Sequence, residues 1–346
     1  MQNAFEIQIT SGAARRAKRT QLFVAALALC TISSALFAGW LPLQVSIVTV
    51  FLFAGPHNWF ELRYFLMRLP VRFGRSRAFF LTAFTGLGIL TITYLSLPLI
   101  YRATVWTNEA WLTLLGSWNT LLLAWVCVLA LLRGKQKPRS NWTWIIPATM
   151  LVAALNWLQP EIFSLTLVYV HPLIALWFLD RQLRRTKPRW LKAYRRFLAV
   201  LPFVLSLMIW QLSQTTSLSE DNGLFWRITQ HSGAELLPNI SSHLLVSVHL
   251  FLEMLHYGVW IVALPLLGSL VQSGNYARVL DFRTVPIAKH PRGFPKLVGT
   301  ILALGAVVVV VLWIGFAVDY PTTRDIYFTI AIAHVMAEAP FLMKML

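Results

Sequence analysis

Long apolar runs separated by short polar segments fill the chain from residue 21 almost to its end. Most of these runs reach the roughly 20 residues that an α-helix needs to cross a bilayer. They lack the period-two alternation of a membrane β-barrel, so strands are not expected. The pattern predicts an all-α membrane helical bundle of about ten transmembrane helices, over residues 21–39, 43–60, 79–102, 111–132, 143–157, 161–179, 197–213, 243–271, 297–317 and 326–343.

Lys and Arg are concentrated in every second connection between the predicted helices. All but three of the 30 Lys and Arg residues lie in the N-terminal segment, in every second connection or at the C-terminus. The three on the opposite side are Arg102, Arg227 and Arg324. Cytoplasmic connections carry the excess of Lys and Arg, so both termini are expected in the cytoplasm. The fifth helix is short and nine helices are the alternative, but an odd number would break the alternation.

Composition supports a membrane protein over a soluble one. Apolar residues make up 57% of the chain, charged residues 12%, and the mean hydropathy is +0.63. Soluble domains carry about 25% charged residues, so a soluble enzyme and a disordered chain are both excluded. The net charge of +17 follows the membrane topology and does not indicate nucleic acid. We predict a single integral-membrane domain over residues 1–346, in the cytoplasmic (inner) membrane, with the first helix retained.

Three connections and several tryptophans have their own interpretation. The basic segment 181–196, which includes Trp190 and Tyr194, favours contact with anionic membrane lipids over binding of RNA. Segment 214–241 is expected to form a solvated cap, and segment 276–296 an ordinary cytoplasmic connection. Tryptophans near helix ends are typical interface anchors, and the candidates are Trp40, Trp106, Trp111 and Trp118.

Ionisable residues inside the predicted helices form a repeated pattern. A charged side chain at the bilayer centre costs about 2.5–3.5 kcal/mol even on the lenient insertion scale, so each one is a candidate functional residue. In three helices a Glu follows a His by four positions, which stacks both side chains on one helix face. These pairs are His57–Glu61, His249–Glu253 and His334–Glu338. His256 extends the second pair, and His171 lies in a fourth helix.

Imidazole and carboxylate donors that converge from several rigid helices are typical of a metal site. The candidate ligands are His57, Glu61, His171, His249, Glu253, His256, His334 and Glu338. Without thiolates this set suits non-haem iron first and zinc or manganese second, and its three glutamates fit either one ion or a carboxylate-bridged pair of ions. Some of the carboxylates can instead orient a ligand imidazole through its second nitrogen. The structural alternative is a metal-free contact in which a neutral Glu bonds to a buried His across a helix turn.

Four of these segments together resemble motifs of the Brp/Blh family of membrane β-carotene 15,15′-dioxygenases, which produce retinal. The similar segments are Gly55-Pro56-His57 with Glu61, Val170-His171 with Asp180, His256-Tyr257-Gly258-Val259-Trp260, and His334 with Glu338-Ala339-Pro340-Phe341. The resemblance implies a multi-helix membrane enzyme whose iron is held by His57, His171, His256 and His334. Leu252 stands four positions before His256, where the family has a second His, so His249 or Glu253 would fill that place.

The sequence therefore favours a membrane non-haem iron oxygenase that acts on a lipid-soluble small molecule, with carotenoid cleavage implied by the resemblance. Tyr257 is a candidate for orienting an oxygen species, with a buried structural role as the alternative. Asp180, beside Arg181, is interpreted as an interfacial ion pair and not as a ligand. A proton- or metal-coupled transporter and a metal-free scaffold remain open. A fatty-acyl desaturase or hydroxylase does not fit, because its clustered HxxxH and HxxHH boxes are absent. Oligomeric state is not indicated.

Overall fold

The computed structural model describes residues 2–103, 107–137, 141–267, 281–291 and 293–345, and their side chains except those of residues 2–19, 102 and 103. Within these ranges the chain forms helices and no strand. The helices are α1 Gln2–Trp40, α2 Pro42–Arg68, α3 Arg77–Ala103, α4 Asn108–Gln136, α5 Ile145–Leu158, α6 Pro160–Thr186, α7 Pro188–Leu212, α8 Gly223–His231, α9 Ser242–Leu267, α10 Pro286–Lys289, α11 Pro295–Val318 and α12 Tyr320–Met345.

Each of the ten predicted helices has a helical counterpart, and in the described part of the chain eight are long and apolar enough to cross a membrane. The protein is therefore an all-helical, multi-pass membrane protein. The two helices that fall short are α2 and α5. Helix α2 carries the polar residues His57, Glu61 and Arg63. Helix α5 has 14 residues, and at 1.5 Å per residue it is about 21 Å long, against about 30 Å of hydrocarbon.

The chain divides into two compact units. The first comprises Met1–Thr49 and Pro172–Tyr276, and the second comprises Val50–His171 and Ala277–Leu346. In the first unit α1 packs on α7 and α9, and α8 packs on α9. The predicted cap segment 214–241 thus contains a short helix, α8. Its Ile228 is buried in a small core with Leu43 and Val246.

Helix α9 of the first unit is not uniform. It is α-helical over Ser242–Tyr257, π-helical over Gly258–Ala263 and α-helical again over Leu264–Leu267. A Cβ atom at Gly258 would lie 3.4 Å from Sγ of Cys30 on α1, so glycine allows the two helices to approach closely here. Single π-helical turns inside α-helices are rare and are found frequently at functional sites.

The second unit is built around α3, α4 and α12, which pack on one another, while α5 packs on α4 and α11 packs on α12. Its largest apolar core includes Phe79, Phe80, Trp125, Leu129 and Met336. A buried amide pair joins α4 and α5. Asn119 donates to Oδ1 of Asn156 over 2.8 Å, and Asn156 donates to the carbonyl of Gly116 over 3.0 Å. Such side-chain bonds hold helices together where water cannot compete.

The structure corrects two predictions made from the sequence of the second unit. Trp118 is not an interface anchor, because its ring is 3% exposed and Nε1 donates to the carbonyl of Leu90 over 3.0 Å. The segment predicted as an ordinary connection is folded in its described part. There Val285 is fully buried against α2 and α11, beside a 3-10 turn at Phe282–Thr284. Among the other proposed anchors Trp40 is exposed, whereas Trp106 lies outside the described residues.

Candidate metal centre

Helix α2 contributes the first imidazole and a carboxylate. His57 and Glu61 are both 1% exposed and, four positions apart, lie on the same helix face. Nδ1 of His57 lies 3.0 Å from the carbonyl oxygen of Phe53. A carbonyl can only accept, so Nδ1 carries the proton and Nε2 of a neutral ring keeps its lone pair. Pro56 precedes His57 inside the helix and removes one backbone donor there. Because the proton lies on Nδ1, the lone pair of Nε2 is the one with which His57 can bind a cation.

Helix α6 contributes the second imidazole, and α12 holds it in place. Nδ1 of His171 lies 3.1 Å from Oε2 of Glu338, which is fully buried. An ionised carboxylate can only accept, so this contact places the proton of His171 on Nδ1 and leaves Nε2 as the acceptor nitrogen. A carboxylate that receives the second N–H of an imidazole is the usual partner of a metal-binding histidine.

Helix α12 contributes the third imidazole, His334. Its ring centroid lies 4.9 Å from that of His171 and 5.3 Å from that of His57. The Nε2 atoms of His334 and His171 are 3.1 Å apart. Two nitrogens bound to one metal at about 2.0–2.1 Å are separated by about 2.9–3.4 Å, so this distance fits a shared ion. It also fits an N–H···N hydrogen bond in the absence of metal.

Three donors of the second unit converge closely. One donor atom each of His57, Glu61 and His334 lies within 4.8 Å of the others. Both carboxylate oxygens of Glu61 are buried and hydrogen-bond to no group among the described residues. An ionised carboxylate without a partner is very unfavourable in an apolar interior, and a cation held among the donors would compensate for it. The residues present therefore fit a metal ion with nitrogen and oxygen ligands.

The remaining three candidate ligands lie on α9, in the first unit, and all are buried. Oε1 of Glu253 accepts a hydrogen bond from the hydroxyl of Tyr257 over 2.8 Å, so Tyr257 positions this carboxylate. The ring of His249 lies 5.2 Å from that of His231 on α8. His256 lies beside Trp260, with ring centroids 6.3 Å apart. Whether these residues bind metal stays a prediction from sequence.

Several features of the site could not be seen in the sequence pattern. The His334–Glu338 spacing indicates a pair within one helix, but Glu338 contacts His171 of another helix.

Arg324, assigned to a loop, is inside α12, 3% exposed, with its guanidinium over the ring of Phe328. Helix α11 ends at Val318 and α12 begins at Tyr320, which leaves one connecting residue and not the expected loop.

The structure thus brings together His57, Glu61, His171, His334 and Glu338 within the second unit. His57, Glu61 and His334 form one close group, His171 lies next to His334, and Glu338 orients His171. No protein-family model, no curated protein and no solved structure matches this chain.

Proposed function

We propose that the protein is a membrane-embedded non-haem iron oxygenase that acts on an apolar, lipid-soluble substrate. The reaction implied by the family resemblance is oxidative cleavage of a carotenoid. The observation that supports the proposal best is the meeting of two imidazoles, those of His57 and His334, with Glu61, a buried carboxylate that hydrogen-bonds to nothing in the described part of the chain. Such a set is expected where a cation binds, because it is costly without one.

The chemical character of the donors favours iron. Imidazole and carboxylate ligands without thiolates suit iron, with zinc and manganese as alternatives. When bound, ferrous iron supplies the one-electron chemistry that dioxygen activation requires. The protein's part is to hold His57 and His171 in the tautomers that expose Nε2, and to supply the negative charge of Glu61. Glu338 is a positioning residue, since it acts through His171.

The depth of these residues supports an apolar substrate. His57, His171 and His334 each lie 11 to 15 residues from both ends of their helices. At 1.5 Å per residue that is about 17–22 Å from either end, near the centre of a bilayer about 30 Å thick. Dioxygen and lipid-soluble molecules reach this depth through the hydrocarbon region, whereas a polar substrate would need an aqueous path.

We infer a ten-helix arrangement in the cytoplasmic (inner) membrane with both termini in the cytoplasm. The distribution of Lys and Arg supports this orientation. Helix α2 then crosses the membrane despite its polar residues, because those residues face other helices and not lipid. Helix α5 crosses by local thinning of the bilayer or with flanking residues reaching the interface. Accessibility of cysteines introduced at Arg75 and at Asp221, which are both exposed, to an impermeant label tests the assignment of opposite sides.

The proposed function is tested by metal content and by turnover. Protein purified from iron-supplemented cells should contain about one iron per chain. In a carotenoid-producing host it should bleach the cells and produce an aldehyde such as retinal, in a dioxygen-dependent way. Folded protein that never retains iron, zinc or manganese would contradict the metal centre. Metal-loaded protein that cleaves no polyene under air would contradict the substrate.

A proton- or metal-coupled transporter is the second candidate. The His171–Glu338 contact of 3.1 Å, near the middle of two helices, is also what a proton relay would contain. Reconstituted vesicles that move protons or a divalent cation, with no oxygenase product, would favour this function. A folded protein with neither metal nor transport would favour a scaffold in which the same contacts only join helices.

Glu338→Gln tests the positioning role. Glutamine keeps the size of the side chain and can still accept from Nδ1 of His171, but it removes the charge that strengthens the basicity of the ring. We expect metal affinity about 10–100-fold lower, measured by competition with a chelator. Glu109→Gln, an exposed residue at the start of α4, is the matched control and should leave affinity unchanged. Equal affinities of the two variants would show that Glu338 does not support the site.

A further inference from the structure

The turn between α6 and α7, in the first unit, brings two basic helix ends together. Helix α6 ends at Thr186 and α7 begins at Pro188, so Lys187 alone connects them. Arginines end one helix and begin the next, and the helix start of α7 adds the positive end of its dipole. The exposed cations of this turn are Arg184, Arg185, Arg189, Lys192, Arg195 and Arg196.

Almost none of this charge is neutralised by the protein. Arg195 pairs with Asp180 through two bonds of 2.8 and 3.1 Å, so the predicted ion pair of Asp180 exists with Arg195 as its partner. The neighbouring Arg181 instead lies over the ring of Trp177. The other five exposed cations form no ion pair with any carboxylate in the described part of the chain. They repel one another, and a bound anion would reduce that repulsion.

Hydrogen bonds within the protein hold the backbone of the turn together without an anion. The hydroxyl of the buried Tyr194 on α7 donates to the carbonyl of Leu176 on α6 over 2.7 Å. The amide of Lys187 donates to the carbonyl of Leu183 over 2.8 Å, which closes the end of α6. Together with the Asp180–Arg195 pair, these bonds hold the two helices and their basic ends in one geometry. A preorganised site loses little entropy when it binds.

An aromatic pair indicates the depth of the turn. Trp190 on α7 stacks on Phe23 of α1, with ring centroids 4.6 Å apart and planes inclined by 20°. Tryptophan at the end of an apolar helix is typical of the boundary between headgroups and acyl chains. The cations next to Trp190 then lie at the level of lipid phosphates. One face of the ring is covered by Phe23, which does not favour stacking of a nucleic-acid base.

We propose that the α6–α7 turn is a binding site for the phosphate headgroups of anionic phospholipids. Basic cytoplasmic connections are common in membrane proteins. This turn differs from an ordinary basic connection because its cations are clustered at the ends of two helices that hydrogen bonds already join. The proposal depends neither on iron nor on catalysis, so it stands or falls separately from the proposed function.

The test compares two triple variants of the full-length protein in neutral detergent. R184Q/R185Q/R189Q removes three cations of the turn. R72Q/R75Q/R77Q removes three exposed cations from the connection after α2 and the first residue of α3 and is the matched control. Native mass spectrometry counts bound dioleoylphosphatidylglycerol against dioleoylphosphatidylcholine. We expect the parent and the control variant to retain phosphatidylglycerol, and the α6–α7 variant to bind it at least about tenfold more weakly.

Other outcomes would overturn the proposal. Equal lipid retention by the two triple variants would leave only a diffuse charge effect. Displacement of the lipid by millimolar inorganic phosphate would identify free phosphate as the ligand, and tighter binding of an RNA oligonucleotide would identify nucleic acid. All substituted residues are exposed, and circular dichroism of both variants is the check that each keeps the helical fold.

Discussion

His334→Ala is expected to abolish metal binding. His334 lies between the other two imidazoles, with ring centroids 4.9 Å from His171 and 5.3 Å from His57. Its removal takes away a donor that neither neighbour can replace and leaves Glu61 buried beside fewer ligands. We expect a loss greater than the about 10–100-fold caused by removal of an orienting partner. Iron per chain, measured by elemental analysis after dialysis, should fall from about one to near zero.

The control for this experiment is His290→Ala. His290 is exposed, beyond the short helix α10, and is not among the candidate ligands. Its replacement should leave iron content unchanged. A thermal unfolding curve for each variant separates loss of metal from loss of fold. If His334→Ala keeps its iron, or if both variants lose it equally, the centre is not formed by these imidazoles.

Gly86→Ala is expected to be strongly destabilising. A Cβ atom at this position of α3 would lie 2.0 Å from Nε1 of Trp125 on α4. The Trp125 ring has little room to move, because it is 7% exposed and Nε1 donates to the carbonyl of Thr82 over 3.0 Å. Overpacking of a tight core costs about 1–3 kcal/mol. Between membrane helices close packing is the main attraction, so the α3–α4 contact should open.

Gly88→Ala is the matched control, two residues along the same helix. Among the described residues, no atom outside the adjoining backbone of α3 lies within 4 Å of a Cβ built at Gly88. Alanine also favours the helix by about 0.8–1.0 kcal/mol over glycine, so this variant should be as stable as the parent or slightly more stable. Denaturant titration in detergent, followed by circular dichroism, measures both. Equal stability of the two variants would contradict the close α3–α4 contact.

The helical fold could be predicted from the sequence because bilayer thickness imposes the length of each apolar run. Helices α3, α4 and α11 show this, as one apolar run corresponds to one helix. The pattern is less informative where local packing replaces lipid. Helix α8 and the buried Val285 lie in segments that look like polar connections. Trp118 looks like an interface anchor by type, but only its contact with α3 shows that it is buried.

The sequence also predicted part of the candidate site, namely which residues belong to it. The cost of ionisable groups in lipid singles out His57, His171 and His334 without any structural information. Their arrangement was not predictable, because spacing along one helix says nothing about the neighbouring helix. Glu61 and Glu338 occupy the same position in their His–Glu pairs. Yet one carboxylate hydrogen-bonds to nothing described, and the other contacts His171.

The π-helical turn at Gly258–Ala263 has a consequence for the register of α9. Such a turn fits about one residue more than an α-helical turn over the same rise, so the side chains after it keep the helix face that a plain α-helix would give them. Deleting one residue within this turn should therefore leave Leu264–Leu267 on the same face, whereas the same deletion in the α-helical part of α9 would rotate every later side chain by about 100°.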